Sequence, residues 1–505
     1  MTKIYYEITS NPSSIKLTDI PVLSYSEFQK TVDELMSVES NHCLNYFAFP
    51  LSDKYKFVCC IGDDETKKII ILSHEQPKTK DISLESITAK HFQFHVFERE
   101  IYENYGIYFS NHPWLKPIRY PFNRSNLENK ISNYPFYSID SEELHEVGVG
   151  PIHAGIIEPG YFRFICNGEN VLHLEIHLGF QHRGIEQLFL EKQSVLQQTI
   201  LAESIAGDTT IAHSIAYSLL AESLANKTIS EELSIERTIA LELERIAIHI
   251  GDTAALCTDV AYQLGQVINE ALRTIIINTN QFWCGNRFGK GLIRTCGSHY
   301  PLTKEIIEII KNNLNEVEQR YLQITDRIFT LPSVLARFET IGKVTKKQAS
   351  MIGAVGIGAR SSGLKRDTRW SHPFLQYDKI NYEPIVLPKG DVWSRAMLRK
   401  MEVLKSVAII KELLNKYDNE KIIDNPNYDL KFEPYFIAIS MVEGWRGEIC
   451  HTAITDNKGK IIHYKIKDPS LHNWMALALA VRGQEISDFP VCNKSYNLSY
   501  CGNDL

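Results

Sequence analysis

Four short stretches hold residues whose types and spacing can do chemistry. In "VLHLEIHLG", His173, Glu175 and His177 alternate, which puts two imidazoles and a carboxylate on one face of a strand. Such a set can hold a metal, but a polar row on a strand is first of all a solvated face, and that is the favoured reading. In "LGFQHRGIEQL", His182, Arg183 and Glu186 follow an apolar run. Arg183 and Glu186 suit buried ion pairs, which resist losing one partner. In "LAESIAGDTTIAHSIAYSLLAESL", Asp208 stands among small residues ahead of His213 and Ser214. A carboxylate there serves as a proton-relay group with a shifted pKa or caps the helix behind it; capping is the expected role. In "VEGWRGEICH", Arg446 is the residue of interest.

The ten cysteines are scattered and form no Cys-x-x-Cys pair, so a metal cage from this chain alone would need histidines or carboxylates. Free thiols in a reducing compartment are expected. "MTKIYYEITSNPSSIKL" lacks the apolar core of an export signal. The strongly apolar runs, such as "WMALALAV", fall short of the roughly 20 residues of a membrane span. A net charge of -7 gives no support for nucleic acid as a partner. No Gly-x-Gly-x-x-Gly occurs, so no dinucleotide site is expected in this chain.

The elements that must position these groups fall into two textures. Residues 1–125 read as a small α/β unit: "HCLNYFAFP", "YKFVCCIG" and "KKIIILSH" are strand-like, and "SEFQKTVDELMSVE" has helical spacing behind a serine cap. Residues 126–142 are polar without a period and read as a linker. From 143 to 505 a hairpin around Asn167-Gly168 is followed by long helical patterns, "SIERTIALELERIAIHIGDTAALCTDVAYQLG" and "TKEIIEIIKNNLNEVEQRYLQITDRIF" behind Thr303. His249 reads as a satisfied core residue, and Glu244 with Arg245 as an internal ion pair. Strands return after Pro434. The fold class is α+β and multi-domain, a small α/β unit before a mainly helical bundle with small flanking sheets.

Longer motifs resemble a known family. "FEREIYENYGIYFSNHPWLKPIRYP", with Glu98, Arg99, Glu100, Gly106, Ile107, Phe109, His112, Pro113 and Arg119, resembles the signature of the hydrophilic complex I subunit that braces the quinone-site subunit. "GPIHAGIIEPGYFRF", the His182-Arg183-Gly184 stretch, "MIGAVGIGARSSGLKRDTRWSHP", "GDVWSRAMLRKMEVLKS" and "VEGWRGEICH" resemble the large subunit shared by complex I and the membrane-bound energy-converting nickel-iron hydrogenases and formate hydrogenlyase. The resemblance makes residues 1–125 a docking domain. It makes 143–505 a large-subunit domain whose first loop, with His153, lines a quinone or active-site cavity. His182, Arg183, Glu186 and His213 would then face an iron-sulfur partner or that cavity.

In the hydrogenases two Cys-x-x-Cys pairs hold the metal. Here those positions read Ala206 and Thr209 near the start, and Leu498 and Cys501 in the tail "DFPVCNKSYNLSYCGNDL". A nickel-iron centre is therefore not expected, and the chain looks nearer to the hydrogenase branch with its ligands deleted. The resemblance implies an oxidoreductase subunit without a tightly bound cofactor of its own. It would receive electrons from a [4Fe-4S] cluster on a small partner subunit and pass them to quinone or another acceptor at a cavity near His153, Asp208 and Arg446. The implied place is peripheral, on the cytoplasmic face of the cell membrane, held by complex I-like and antiporter-like membrane subunits. The alternative reading is a scaffold or conformational coupler without redox chemistry; a hydrogenase large subunit ranks behind both, because the ligands are missing.

Overall fold

The apolar stretch after Thr209 forms the helix Thr210–Leu224, buried along nearly its whole length, as a helix without a polar face must be. In the computed structural model, which describes residues 4–155, 157–192 and 194–505, the longer helices Glu231–Asp259, Gln263–Cys284, Lys304–Ile328 and Val392–Lys416 follow it. Ser230, Thr303 and Asp391 start three of these by accepting the N–H groups of Leu233, Ile306 and Ser394. A large apolar cluster runs through this part, from Phe162 in the hairpin through Ile246 and Leu413 to Tyr500 near the C-terminus, and a smaller one takes Tyr217, Leu220 and Leu224.

Charges cross the bundle where an apolar core would be simpler. Arg245, Arg360 and Arg369 face Glu242, Asp367 and Glu402, with no solvent exposure for any of these side chains. Arg369 reaches Asp367 at 2.7 Å and Glu402 at 2.8 Å. Buried ions of this kind persist only when each has its partners. Glu443 lies beside them; burial and the charge of Asp367 push its carboxyl up to about 8, so it is the neutral member at pH 7. Arg245 belongs to this network and not to its neighbour Glu244, which corrects the pairing expected from sequence: adjacent helical residues point in different directions. His249 is buried as expected, but neither ring nitrogen has a hydrogen-bond partner.

The N-terminal sheet is antiparallel in the order Glu7–Thr9, Lys68–Pro77, Lys54–Asp63, Asn41–Leu51, with Val22–Leu23 joining Lys68–Pro77 in parallel. The helix Tyr25–Met36 packs against it; its cap is Ser24, with Glu27 closing a capping box. The helix His95–Tyr105 stops at Gly106, whose φ of 71° few side chains tolerate. Strand Ser13–Lys16 leaves this sheet and pairs with Phe436–Glu443 at the edge of a second one, ordered Ile461–Lys467, Glu448–Thr455, Phe436–Glu443, Ser13–Lys16. Asn11 fixes the crossing by donating to the carbonyls of His372 and Met441.

The predicted hairpin forms, Tyr161–Asn167 against Asn170–His177. The expected solvated face of His173, Glu175 and His177 is covered instead. Residues of segment 126–142 lie on it: Tyr134 stacks on His177 with centroids 4.1 Å apart, and Glu175 accepts from the Tyr134 hydroxyl, the Tyr137 N–H and Lys116. Among the described residues no group of histidines, cysteines and carboxylates is arranged to hold a metal ion, and no helix is long and apolar enough to cross a membrane.

Candidate functional site

The turn before Thr210–Leu224 carries Asp208, and the turn between strands Phe436–Glu443 and Glu448–Thr455 carries Arg446. The two meet as a bidentate pair, Nη1 to Oδ1 and Nη2 to Oδ2, both at 2.6 Å. This is the fork geometry that makes arginine–carboxylate pairs strong. Arg446 also donates to Thr209 Oγ1 at 3.1 Å and to the Asn497 carbonyl at 2.6 Å, and its guanidinium lies 3.9 Å over the Trp445 ring. The Trp445 indole N–H donates to the Asp208 carbonyl. Burial pushes the Asp208 carboxyl up, but the charge and hydrogen bonds of Arg446 outweigh it and hold the group below its ordinary value. The Arg446 side chain is 5% exposed and that of Asp208 36%, so the pair is closed on one side and wet on the other.

The loop bearing Arg446 is held by a backbone crossing. Gly356, at φ 57°, lies so close that a Cβ there would stand 2.1 Å from the Arg446 carbonyl and 2.2 Å from Gly447 Cα. Only a residue without a side chain permits that approach.

Asp208 does not cap the helix, contrary to the sequence expectation. Thr209 holds the N-cap position without a side-chain cap. The free N–H groups of Ile211 and Ala212 are taken by Glu244, from the helix Glu231–Asp259, at 2.7 and 3.2 Å. Burial raises Glu244 to about 8 against these two bonds, with Asp208 adding to the rise.

His213 is fully buried. Its Nε2 lies 3.2 Å from Asp468 Oδ2 and its Nδ1 3.1 Å from His451 Nε2, while His451 Nδ1 meets the Tyr464 hydroxyl at 2.8 Å. A consistent set of tautomers runs one way: Tyr464 O–H donates to His451, His451 Nε2–H to His213, and His213 Nε2–H to Asp468. Burial and the neighbouring His213 hold His451 well below its ordinary value, in keeping with a neutral ring.

The remaining candidates are dispersed. His153 Nε2 bonds the Gly160 carbonyl at 2.8 Å, within its own loop. His182 Nδ1 bonds the Asp504 carbonyl. Glu186 lies in an ion pair with Lys465 at 3.0 Å, as expected. Arg183 does not: it is exposed and donates to the carbonyls of Ser204 and Ile205. Ser204 and Ile205 lie in the irregular turn after helix Val195–Ala202, where carbonyls outside the helical ladder are open to a guanidinium donor.

Ala206, Thr209 and Leu498 offer a metal no soft donor, and Thr209 is committed to Asp208 and Arg446. The Cys501 thiol, set 3.4 Å from Ser499 Oγ, is pushed up to about 11 by burial. A fixed guanidinium ties residues 208–209 to 497, beside the ligand positions. These residues do not fit a thiolate-bridged nickel-iron centre. Sequence reasoning missed Asp468, His451, Tyr464 and the carbonyl of Asn497. The signals were thin: a His after "GEIC" and an Asp-Pro before a helix, each with many ordinary uses.

Two family models match. One, described as respiratory-chain NADH dehydrogenase, 49 Kd subunit, covers residues 266–435. The other, respiratory-chain NADH dehydrogenase, 30 Kd subunit, covers residues 25–125. The chain is 30% identical over 352 residues to the carbon monoxide-induced hydrogenase of Rhodospirillum rubrum, covering 69% of this chain and 95% of that protein. It is 26% identical over 451 residues to the C/D polypeptide of NADH-quinone oxidoreductase from Phocaeicola vulgatus, covering 81% and 83%. Formate hydrogenlyase subunit 5 of Escherichia coli (strain K12) is 25% identical over 426 residues, covering 81% and 74%. In fold, the chain is similar to a chain of an archaeal respiratory complex, the membrane-bound sulfane sulfur reductase. The TM-score is 0.67 at 22% identity, covering 73% of this chain and all 100% of that one.

Proposed function

The chain belongs to the family that unites the 49-kDa and 30-kDa subunits of respiratory-chain NADH dehydrogenase with the large subunits of membrane-bound hydrogenases, and from that premise we propose that it passes electrons to a small acceptor without a nickel-iron centre. It is a subunit of a respiratory-type oxidoreductase complex. Its electrons come from a [4Fe-4S] cluster on a small partner subunit, and its acceptor is quinone or another small molecule reached from the open side of the Asp208–Arg446 pair. The observation that carries this reading is Arg446 itself. It joins the segment of Asp208 and Thr209 to that of Asn497, where relatives with a metal carry thiolates, and it sets a cation beside an exposed glycine, Gly207. A reduced, anionic acceptor is stabilised there by the Arg446 guanidinium. Asp208, already ionised, holds that guanidinium in place. His153 shapes the first loop and acts through Gly160.

Docking of the iron-sulfur partner is assigned to the groove of about 730 Å³ lined by Phe122, Arg183, Glu186 and Lys465. Phe122 is 96% exposed there, an aromatic anchor of the kind that interfaces bury. Membrane subunits of complex I and antiporter type then hold the chain on the cytoplasmic face of the membrane.

The test is turnover by the intact complex. With its clusters reduced, addition of a short-chain quinone is expected to reoxidise them. Arg446→Ala and Asp208→Asn are expected to slow this by about tenfold or more, with cluster content unchanged. Equal turnover in both variants and the parent refutes the assignment. A second reading, a conformational coupler without redox chemistry, is favoured by the fact that Arg446 is already neutralised by its bidentate partner. It predicts an assembled complex whose reduced clusters no quinone reoxidises.

A further inference from the structure

We propose that a crevice between the N-terminal unit and the hairpin, about 450 Å³ in volume, binds an amphipathic organic anion, with Arg99 as its anion-binding group. The walls are the start of helix His95–Tyr105, the loop from Trp114 to Ile118, the strand Asn170–His177 and the helix Ser470–Ala480. Its size is that of a small-molecule site, and none of the residues assigned to electron transfer lines it.

Arg99 is 6% exposed. Its Nε donates to the Lys116 carbonyl and its Nη2 to the Pro117 carbonyl, both at 2.8 Å. The guanidinium lies 4.3 Å over the Trp114 ring. Among the described residues no carboxylate comes within 4.0 Å of it, and Nη1 has no acceptor. A buried cation without a countercharge is costly. Arg395 shows the usual solution. That guanidinium also lacks a carboxylate, but it spends Nε, Nη1 and Nη2 on Ser495, Gly390 and Gly342. Arg99 leaves one nitrogen for something the protein does not supply.

The groups around Arg99 do not supply the missing charge. Burial, and next the charge of Arg99, push His112 and His177 down to about 4 and His95 well below its ordinary value. These imidazoles are therefore neutral at pH 7. Both ring nitrogens of His95, which is 3% exposed and lines the crevice, lack partners. Lys116 is neutralised by Glu175 at 2.5 Å. The net charge is thus that of buried Arg99 and, at the exposed rim, of Arg482, which among the described residues meets only His173 Nδ1, with a spare imidazole N–H close to Arg99.

The opposite wall is apolar. Leu471, Trp474, Met475 and Leu479 follow one another along one face of Ser470–Ala480, at the three- and four-residue spacings of a helix. A head of carboxylate or phosphate chemistry against Arg99 Nη1 and His95, with an aliphatic or aromatic body along that helix, satisfies every open group.

Decanoate, decyl phosphate and 1-decanol, titrated into the full chain by calorimetry, test this. At least one of the two anions is expected to bind with unit stoichiometry and about tenfold or more tighter than 1-decanol, as one charge-assisted hydrogen bond allows. The tighter of the two names the head group. Arg99→Gln is expected to bring the anions to the level of the alcohol. Leu479→Trp, which fills the crevice and touches no buried charge, is expected to weaken all three with the melting temperature unchanged. Anions that bind no tighter than 1-decanol, or binding indifferent to Leu479→Trp, overturn the proposal even where Arg99→Gln fails to fold.

Discussion

Consider the removal of Asp208. Its partner Arg446, 5% exposed, is then a buried cation without its ion-pair partner, with only the charges of Asp468 and Asp252 left to act on it. Breaking a buried ion pair from one side costs about 3–5 kcal/mol. The Asp208 side chain is 36% exposed, so water already screens the pair, and the discounted cost is about 2–3 kcal/mol. Removing Arg446 instead leaves a carboxylate that water can reach. The loss is then the contact over Trp445 and the bond to the Asn497 carbonyl, about 1–2 kcal/mol in all. Asp208→Ala is therefore expected to destabilise more than Arg446→Met, although both shorten the side chain by the same number of heavy atoms. The double variant is expected to fall short of the sum by about 1–2 kcal/mol. Urea unfolding of the four proteins, with midpoints compared at a common slope, measures this coupling. Additivity within about 0.5 kcal/mol, or the reverse order of the single variants, refutes the account of the pair.

Glu244 holds its proton up to about pH 8 when folded, but to about 4.3 when unfolded. Between those values the native chain binds the extra proton, so stability falls as pH rises, by up to about 1.4 kcal/mol per unit. Glu244→Gln is expected to flatten melting profiles between pH 5 and 8; an unchanged slope counts against the raised carboxyl. Gly356→Ala, which places a Cβ 2.1 Å from the Arg446 carbonyl, is expected to cost about 3 kcal/mol or more and to abolish acceptor turnover; a stable, active variant contradicts the crossing. Lys465, 1% exposed, reaches Glu100 at 2.6 Å and Glu186 at 3.0 Å. Lys465→Met is expected to cost about 3–5 kcal/mol in thermal unfolding, and a loss under about 1 kcal/mol would show the carboxylates to be solvated.

The helices were readable because their signals are local. Thr303 and the spacing behind it needed no knowledge of the rest of the chain, and the same holds for the hairpin around Asn167. What was hidden depends on residues far apart. Asp208 and Arg446 could each be singled out, but 238 positions separate them, and no pattern in either stretch names the other. Alternation put His173, Glu175 and His177 on one face; it could not say that Tyr134 would cover that face. Glu244 and Arg245 look like a pair in a string of letters, yet a helix turns them apart, one to a helix start and the other into a buried cluster.

Strand Ser13–Lys16 has a consequence for how the chain is made. Asn11 and Met441, which it brings together, are 430 positions apart. On the ribosome Ser13–Lys16 emerges long before the edge it will join, Phe436–Glu443. The N-terminal sheet can close on itself during synthesis, but Ser13–Lys16 must wait, unpaired, until Phe436–Glu443 is out. Long waits of this kind slow folding and expose strand edges to other chains. Maturation then includes the capture of Ser13–Lys16 by Phe436–Glu443, and a nascent protein stalled before residue 436 would carry an open edge that a finished one does not.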